Sequence, residues 1–142
     1  MADDGGSDFA RSMSIATSGL RAQAGRMRVI SENIANADST APTSAGDPYR
    51  RKVPTFSSAL DRSLDAKIVT LGKVRTDQSA FRVKHEPSNP AADAAGNVKY
   101  PNVNPLVEMT DMREAQRSYE ANLNIISATR RMIQRTLDIL KA

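Results

Sequence analysis

The longest regular pattern in the sequence lies at its C-terminal end, between Asn104 and Leu140. Large apolar residues recur there every seven positions, with two more at the half-steps: Met112, Tyr119, Ile126, Ile133 and Leu140, then Leu123 and Leu137. A narrow apolar stripe of this kind predicts one amphipathic helix, with Asn104 as its N-cap and Pro105 as its first residue. Such a helix is about 50 Å long. Because a chain of 142 residues cannot wrap a core around a rod of that length, the stripe needs a partner.

A second helix is predicted near the N-terminus, after a polar tail that ends at about Gly6. Ser7 or Asp8 caps this helix, which runs to about Asn36. Its stripe has the same spacing of seven residues, at Met13, Leu20, Met27 and Ile34. Gly19 and Gly25 weaken the helix but allow another helix to approach closely. The stripes pack either against each other in one chain or against neighbouring chains.

The segment between the helices is polar and rich in turn residues. Residues 37–54 read as a loop that contains a basic run, residues 49–52 (YRRK). This run is either a solvated surface or an ionic contact with an acidic neighbour. Beyond the loop, the pattern predicts a short helix over residues 56–64, strands over residues 67–71, 80–85 and 98–100, and a turn-rich loop over residues 87–96.

Together these patterns predict a mainly α fold with a small β module. The long terminal helices pack as a coiled-coil-like pair, and a short β-rich domain lies between them. The predicted division is residues 1–40 for the N-terminal helix, 41–103 for the loop and β-rich domain, and 104–142 for the C-terminal helix. In the monomer such helices leave apolar stripes uncovered, and stacking many copies covers them, as in tubular protein filaments.

The composition argues against several classes of function. The sequence has no Cys and a single His85, and it lacks phosphate-binding glycine loops and nucleophile motifs. His85, Glu86 and Asp93 do not have the spacing of a metal site. We therefore expect no catalysis, no metal and no cofactor. A net charge of +4 is mild for a nucleic-acid-binding protein. No apolar run of 18 residues is present, and the acidic N-terminus is unlike a cleaved signal peptide.

Two blocks of sequence resemble a known family. Residues 18–23 (SGLRAQ) and 27–40 (MRVISENIANADST) are similar to the N-terminal signature shared by flagellar rod, hook and hook-associated proteins. Residues 48–52 (PYRRK), 98–112 (VKYPNVNPLVEMTDM) and 113–122 (REAQRSYEAN) resemble the proximal rod members of that family. The resemblance covers nearly the whole chain. Its motif residues include Asn33, Asn36, Asp38, Ser39, Tyr49, Arg50, Asn104, Pro105, Glu108 and Met109.

The resemblance implies a structural subunit of the bacterial flagellar basal body. The rod carries torque across the periplasm, and its subunits leave the cell through the flagellar type III export apparatus without a cleaved signal. The implied partners are further copies of the chain, other rod proteins, the adaptor FliE and the export apparatus, with neither nucleic acid nor stable membrane insertion. The terminal helices would line the export channel, and the middle segment would form an outer domain.

Particular residues are expected to serve these contacts. Asn33, Asn36, Asp38 and Ser39 lie where the first helix ends, as C-caps, as subunit contacts or as both. Arg113, Arg117 and Glu120 are expected to form ionic contacts between subunits. The residues expected to pack between helices are Met13, Leu20, Met27, Ile34, Met112, Tyr119, Leu123, Ile126, Ile133 and Leu137.

Two other readings of the sequence remain open. A coiled-coil adaptor or chaperone would be soluble and would bind one partner stoichiometrically. A small nucleic-acid-binding protein is favoured only by the isoelectric point near 9.7 and would lose affinity steeply with salt.

Overall fold

Two long helices dominate the computed structural model, which describes residues 4–142. Helix α1 spans Asp4–Ala35 and helix α2 spans Pro105–Lys141. Both predicted helices are confirmed. α2 begins at the predicted residue because the Asn104 side chain accepts a hydrogen bond from the Leu106 amide at 3.1 Å. The N-cap predicted at Ser7 or Asp8 is wrong, because α1 already begins at Asp4; the start of the predicted polar tail, residues 1–3, lies outside the described residues.

Six short strands lie between the helices and form three antiparallel pairs. β1 (Lys52–Val53) pairs with β4 (Arg75–Thr76), β2 (Phe56–Asp61) with β3 (Ala66–Leu71), and β5 (Arg82–His85) with β6 (Asn97–Tyr100). The three predicted strands are confirmed as β3, β5 and β6. Long N- and C-terminal helices with a small module of short antiparallel strands between them in the sequence are the predicted fold class.

The short helix predicted over residues 56–64 is wrong. Phe56, Leu60 and Leu64 recur at intervals of four, which is a helical spacing. In the structure Phe56 to Asp61 instead pair with Leu71 to Ala66, so a strand partner further along the chain overrides the local pattern. The connecting turn contains Asp65 with a positive φ of 46°, a conformation that Asp tolerates better than most residues.

The contacts divide the chain into two compact units. One unit contains the residues up to Arg26, Thr55–Lys73 and Glu114–Ala142, and thus the β2–β3 hairpin. The other contains Met27–Pro54 and Val74–Arg113, with the β1–β4 and β5–β6 pairs. Each unit includes one part of α1 and one part of α2.

Small residues lie where the helices of the first unit approach each other. Ala16, Ala22 and Ala115 are buried. A β-carbon on Gly19 would lie 2.9 Å from side-chain atoms of Asn122, and Arg26 pairs with Glu114 at 3.3 Å. The helices therefore run antiparallel here, and Gly19 permits the close approach that its sequence predicted. Within residues 4–142, no helix has both the length and the apolar character needed to cross a membrane.

Candidate functional site

The most deeply buried polar residues of the second unit are Asn33 on α1 and Glu108 on α2, both with no exposed surface. The side-chain amide of Asn33 forms two hydrogen bonds with the backbone of Lys52, as the backbone of a neighbouring strand would. Its Nδ2 donates to the Lys52 carbonyl at 2.8 Å, and its Oδ1 accepts from the Lys52 amide at 2.9 Å. Asparagine suits this position because one planar group both donates and accepts.

Glu108 joins the same cluster from the first turns of α2. Its Oε2 accepts a hydrogen bond from Asn33 Nδ2 at 3.0 Å, and its Oε1 accepts one from Arg51 Nε at 2.5 Å. The guanidinium of Arg51 also lies 3.9 Å from Asp77 and 3.7 Å from Asp111. Because a buried carboxylate is costly unless it is paired and hydrogen-bonded, Arg51 and Asn33 are what allow Glu108 to lie here.

Asn102 anchors the segment that leads into α2. Its Oδ1 accepts from the Arg51 amide at 2.8 Å, and its Nδ2 donates to the Asp77 carbonyl at 3.0 Å. The Asp77 amide in turn donates to the Arg51 carbonyl at 2.8 Å. The backbone of Arg51, just before β1, is therefore hydrogen-bonded through both its amide and its carbonyl, so its side chain reaches Glu108 from a fixed position.

Tyr49 completes the cluster. Its hydroxyl donates to Asn33 Oδ1 at 2.8 Å. Burial of the phenol, followed by the negative charges of Glu32 and Glu108, raises the pKa of Tyr49 to about 12. Asn33 Oδ1 thus accepts two hydrogen bonds, from Tyr49 and from the Lys52 amide. We use the name polar cluster for Asn33, Tyr49, Arg51, Lys52 and Glu108.

The basic run at residues 49–52 therefore makes ionic contacts within its own chain. Arg51 pairs with Glu108, and the ammonium of Lys52 pairs with Glu32 on α1. Arg50 does neither; its guanidinium stacks 4.2 Å above the centroid of the Phe81 ring. Of the two readings of this run, the contact with acidic neighbours describes Arg51 and Lys52.

The residues predicted at the end of α1 have different roles. Asn36 donates to the Glu32 carbonyl at 2.8 Å, and the Ser39 hydroxyl donates to the Asn36 carbonyl at 2.9 Å, so both cap the helix. Asp38 instead lies 3.6 Å from Arg82. Asn33 caps nothing and belongs to the polar cluster. Of the remaining motif residues, Met109 is exposed, as is the N-cap Asn104 that precedes Pro105.

The ten residues predicted to pack between helices differ in how far the structure buries them. Leu123 and Leu137 remain exposed, at 42% and 45%. The buried positions of α2 are instead Glu108, Ala115 and Thr129, small or polar residues spaced at multiples of seven beside the predicted stripe. Eight predicted residues are half-buried: Met13, Leu20, Met27, Ile34, Met112, Tyr119, Ile126 and Ile133.

The residues predicted to make ionic contacts between subunits lie on the surface. Arg113, Arg117 and Glu120 are all exposed on α2. His85 is also exposed, with its Nδ1 3.3 Å from Asn97 Oδ1. Among the described residues, no group of three or more acidic or histidine side chains is arranged to hold a metal ion.

The polar cluster is suited to holding segments together. Both oxygens of Glu108 and both polar atoms of Asn33 are engaged by hydrogen bonds. It joins the end of α1, the loop before β1 and the start of α2, which are the places where the family motifs lie. The sequence did not predict roles for Asn102 and Asp77. For Asn102 the available signal was its place within residues 98–112, which resemble the family.

Comparisons with known proteins match both ends of the chain. Residues 13–41 match the family described as flagella basal body rod protein. Residues 94–139 match the family described as flagellar basal body rod FlgEFG protein C-terminal. The first match contains Asn33, and the second contains Asn102 and Glu108.

Relatives extend the similarity over almost the full length. The flagellar basal-body rod protein FlgC of Agrobacterium fabrum is 53% identical over 90% of this chain and 92% of its own length. The FlgC proteins of Bacillus subtilis and Salmonella typhimurium are 37% and 39% identical, over 92% and 88% of this chain and 97% and 92% of theirs. The chain therefore belongs to the family of flagellar basal-body rod proteins FlgC.

Proposed function

We propose that this chain is a structural, non-catalytic subunit of the flagellar basal-body rod. The observation that carries the proposal is the 53% identity to a FlgC protein across 90% of the chain. The geometry supports it, since the buried polar groups bind one another and hold segments of the chain in place. The comparisons assign a rod in general, and the further proposal is that this subunit belongs to its proximal part.

The terminal helices are proposed to form the rod core, and the middle segment an outer domain. Residues 1–40 and 104–142 would line the export channel, whereas residues 41–103 would face outward. Exposed apolar side chains support subunit contacts along α2, since Met132, Ile139 and Leu140 are 53%, 76% and 77% exposed. Such side chains are covered when subunits stack. A rod built in this way transmits torque across the periplasm.

The partners proposed for this subunit follow from that role. They are other rod proteins, further copies of the chain, the adaptor FliE and the flagellar export apparatus. Export without a cleaved signal peptide is part of the same proposal. Arg113, Arg117 and Glu120 are proposed as ionic contacts between subunits, although exposed pairs contribute only about 0–1 kcal/mol each.

A substitution in the α2 stripe tests the structural role. Ile126 is half-buried and Glu120 is exposed on the same helix. Ile126→Asp places a carboxylate where apolar packing is proposed, at a cost of several kcal/mol. In a strain whose own copy is deleted, we expect Ile126→Asp to abolish swimming and to give basal bodies that stop below the hook. The control Glu120→Gln should swim, because loss of one exposed ionic contact costs only about 0–1 kcal/mol.

Mass spectrometry and the swimming assay separate the rod proposal from the adaptor alternative. Mass spectrometry of purified basal bodies should detect the Glu120→Gln chain and not the Ile126→Asp chain. If the wild-type chain is absent from basal bodies and instead purifies in a soluble complex with one partner, the adaptor reading replaces this proposal. Equal swimming of the two variants would show that the stripe has been misplaced.

A further inference from the structure

The β2–β3 hairpin has one covered edge and one open edge. The Val69 amide of β3 donates to the Ser18 hydroxyl of α1 at 3.2 Å, so α1 lies against the outer edge of β3 at this residue. β2 lies on the other side of the hairpin, and all its residues from Phe56 to Leu60 are exposed. A strand edge in this position presents backbone groups that another strand can pair with.

The register identifies which backbone groups point outward. The Gly72 amide donates to the Thr55 carbonyl at 2.6 Å, so these two residues form a hydrogen-bonded pair. Hydrogen-bonded pairs alternate in an antiparallel ladder, so the pairs that Ser57 and Ala59 make with Thr70 and Ile68 are bonded too. The amides and carbonyls of Phe56, Ser58 and Leu60 therefore point away from β3, towards the open edge.

The first five residues of β2 lack the charged residues that usually prevent edge pairing, and only Asp61 at its end is charged. From Phe56 to Leu60 it reads FSSAL, with no Lys, Arg, Asp, Glu or Pro. β5, by contrast, reads RVKH and carries Arg82 and Lys84. Side chains on one face of the hairpin are also apolar and accessible: Phe56 is 44% exposed, Leu60 55%, Val69 41% and Leu71 36%. Thus β2 has both an open edge and an apolar face beside it.

We infer that the open edge of β2 binds the β2 strand of a second copy of this chain. An antiparallel pair centred on Ser58 places Ser58 opposite Ser58 of the second copy, and Phe56 opposite Leu60. All outward-pointing groups are then used, for about six backbone hydrogen bonds. Phe56 and Leu60 meet on the same face, and no like charges lie opposite each other. This self-complementarity identifies a second copy as the occupant.

This association is two-fold symmetric and differs from the helical stacking proposed for the rod. In a closed two-fold contact the same surface is used by both copies, whereas a rod needs different surfaces that repeat along an axis. The inference therefore concerns the purified chain in solution and does not depend on the proposed function. The chain can be a rod subunit and fail to form this dimer, or form this dimer and not be a rod subunit. The two proposals therefore fail independently.

Cysteine cross-linking tests the register, because the chain has no cysteine of its own. In a hydrogen-bonded pair the two α-carbons lie about 5.5 Å apart, within the range that a disulfide spans. Under mild oxidation, full-length Ser58→Cys should therefore form a disulfide dimer at least about tenfold faster than Ser88→Cys, an exposed loop control. A mixture of Phe56→Cys and Leu60→Cys should form the mixed dimer in preference to either homodimer.

Ser58→Pro provides a second readout. The Ser58 amide points outward, so proline removes an edge donor without breaking the ladder to β3. In analytical ultracentrifugation we expect a concentration-dependent dimer for the wild-type chain and a monomer for Ser58→Pro, with the same denaturant midpoint for both. Equal cross-linking of Ser58→Cys and Ser88→Cys overturns the inference. So does a monomeric wild-type chain whose Ser58→Cys variant cross-links only to a different protein in basal bodies.

Discussion

Two regions of this chain handle their buried and exposed groups in opposite ways. In the polar cluster, Asn33 and Glu108 are fully buried, and their polar atoms are engaged within the chain. The C-terminal tail of α2, defined as residues 130–141, instead exposes Met132, Leu137, Ile139 and Leu140 by 45% or more. One region is complete in a single chain, and the other leaves apolar surface uncovered.

The difference indicates which region is stabilised when a neighbouring subunit binds. A region whose hydrogen bonds are satisfied internally gains little from a neighbour, whereas exposed apolar surface gains about 25 cal/mol for each Å² that a neighbour covers. The polar cluster should therefore determine whether the chain folds, and the α2 tail should determine whether folded chains assemble.

The largest effect on folding is expected from Arg51→Met. Removal of the guanidinium leaves the Glu108 carboxylate buried without its cation. Breaking a buried ion pair in this way costs about 3–5 kcal/mol, and the remaining exposure of Arg51 favours the lower value, about 3 kcal/mol. Urea denaturation of the purified chain measures this change. The exposed Arg28→Met is the control and should change the free energy of unfolding little.

The double variant Arg51→Met with Glu108→Met sharpens the same prediction. Because it removes both charges, most of the lost stability should return. If the double variant is instead less stable than Arg51→Met, the unpaired charge of Glu108 is not what destabilises the single variant, and the prediction fails.

A smaller loss is expected from Asn33→Ala. The change leaves the Tyr49 hydroxyl and the Lys52 amide without their acceptor, at a cost of about 2 kcal/mol. Asn36→Ala is the matched control, since it removes a single local bond to the Glu32 carbonyl, worth about 1 kcal/mol. Both variants are measured by urea denaturation. Equal losses in the two variants would mean that Asn33 acts only as a helix residue.

The sequence predicts the features that depend on residues close together along the chain. The start of α2 follows from Asn104 and Pro105, and the alternation of Phe81, Val83 and His85 indicated β5. The pairing of Asn33 with Glu108 joins residues that are 75 positions apart, and no local pattern reports it. The helix predicted over residues 56–64 is wrong for a similar reason, since β3, the strand partner of β2, lies beyond a turn and outside the local pattern.

The packing of α2 shows a related limit of sequence reasoning. The seven-residue spacing predicts the stripe, and its large apolar residues are predicted to pack between helices. The buried residues of α2 are instead Glu108, Ala115 and Thr129. Ala115 suits such a position because close packing of a second helix favours small side chains. One sequence does not show which large apolar residues stay exposed for contact with neighbouring chains. That depends on which face of α2 packs within its own chain.

Tyr49 gives a pH-dependent test of the polar cluster. Its pKa is raised from 10.0 to about 12 in the folded chain. The folded state therefore holds its proton more tightly, and stability should fall as the pH rises from about 10 to about 12. Tyr49→Phe should lose about 1 kcal/mol at neutral pH, for one hydrogen bond, and should decline less steeply over this alkaline range. Urea midpoints measured from pH 8 to 12 check both effects, and parallel declines would place the raised pKa elsewhere.

The smallest effect on folding, and the sharpest test of the comparison, is expected from Leu140→Asp. Leu140 is 77% exposed, so a carboxylate there should change the free energy of unfolding by less than about 0.5 kcal/mol. In the assembled rod the same side chain is proposed to be covered, so the variant should fail to restore swimming to a deletion strain. Thr136→Asp, which replaces an exposed polar residue on the same helix, is the control and should restore it. Urea denaturation and a motility assay on the same variants decide the matter. If Leu140→Asp swims normally, the α2 tail is not an assembly surface. If it unfolds the purified chain, the tail belongs with the polar cluster among the determinants of folding.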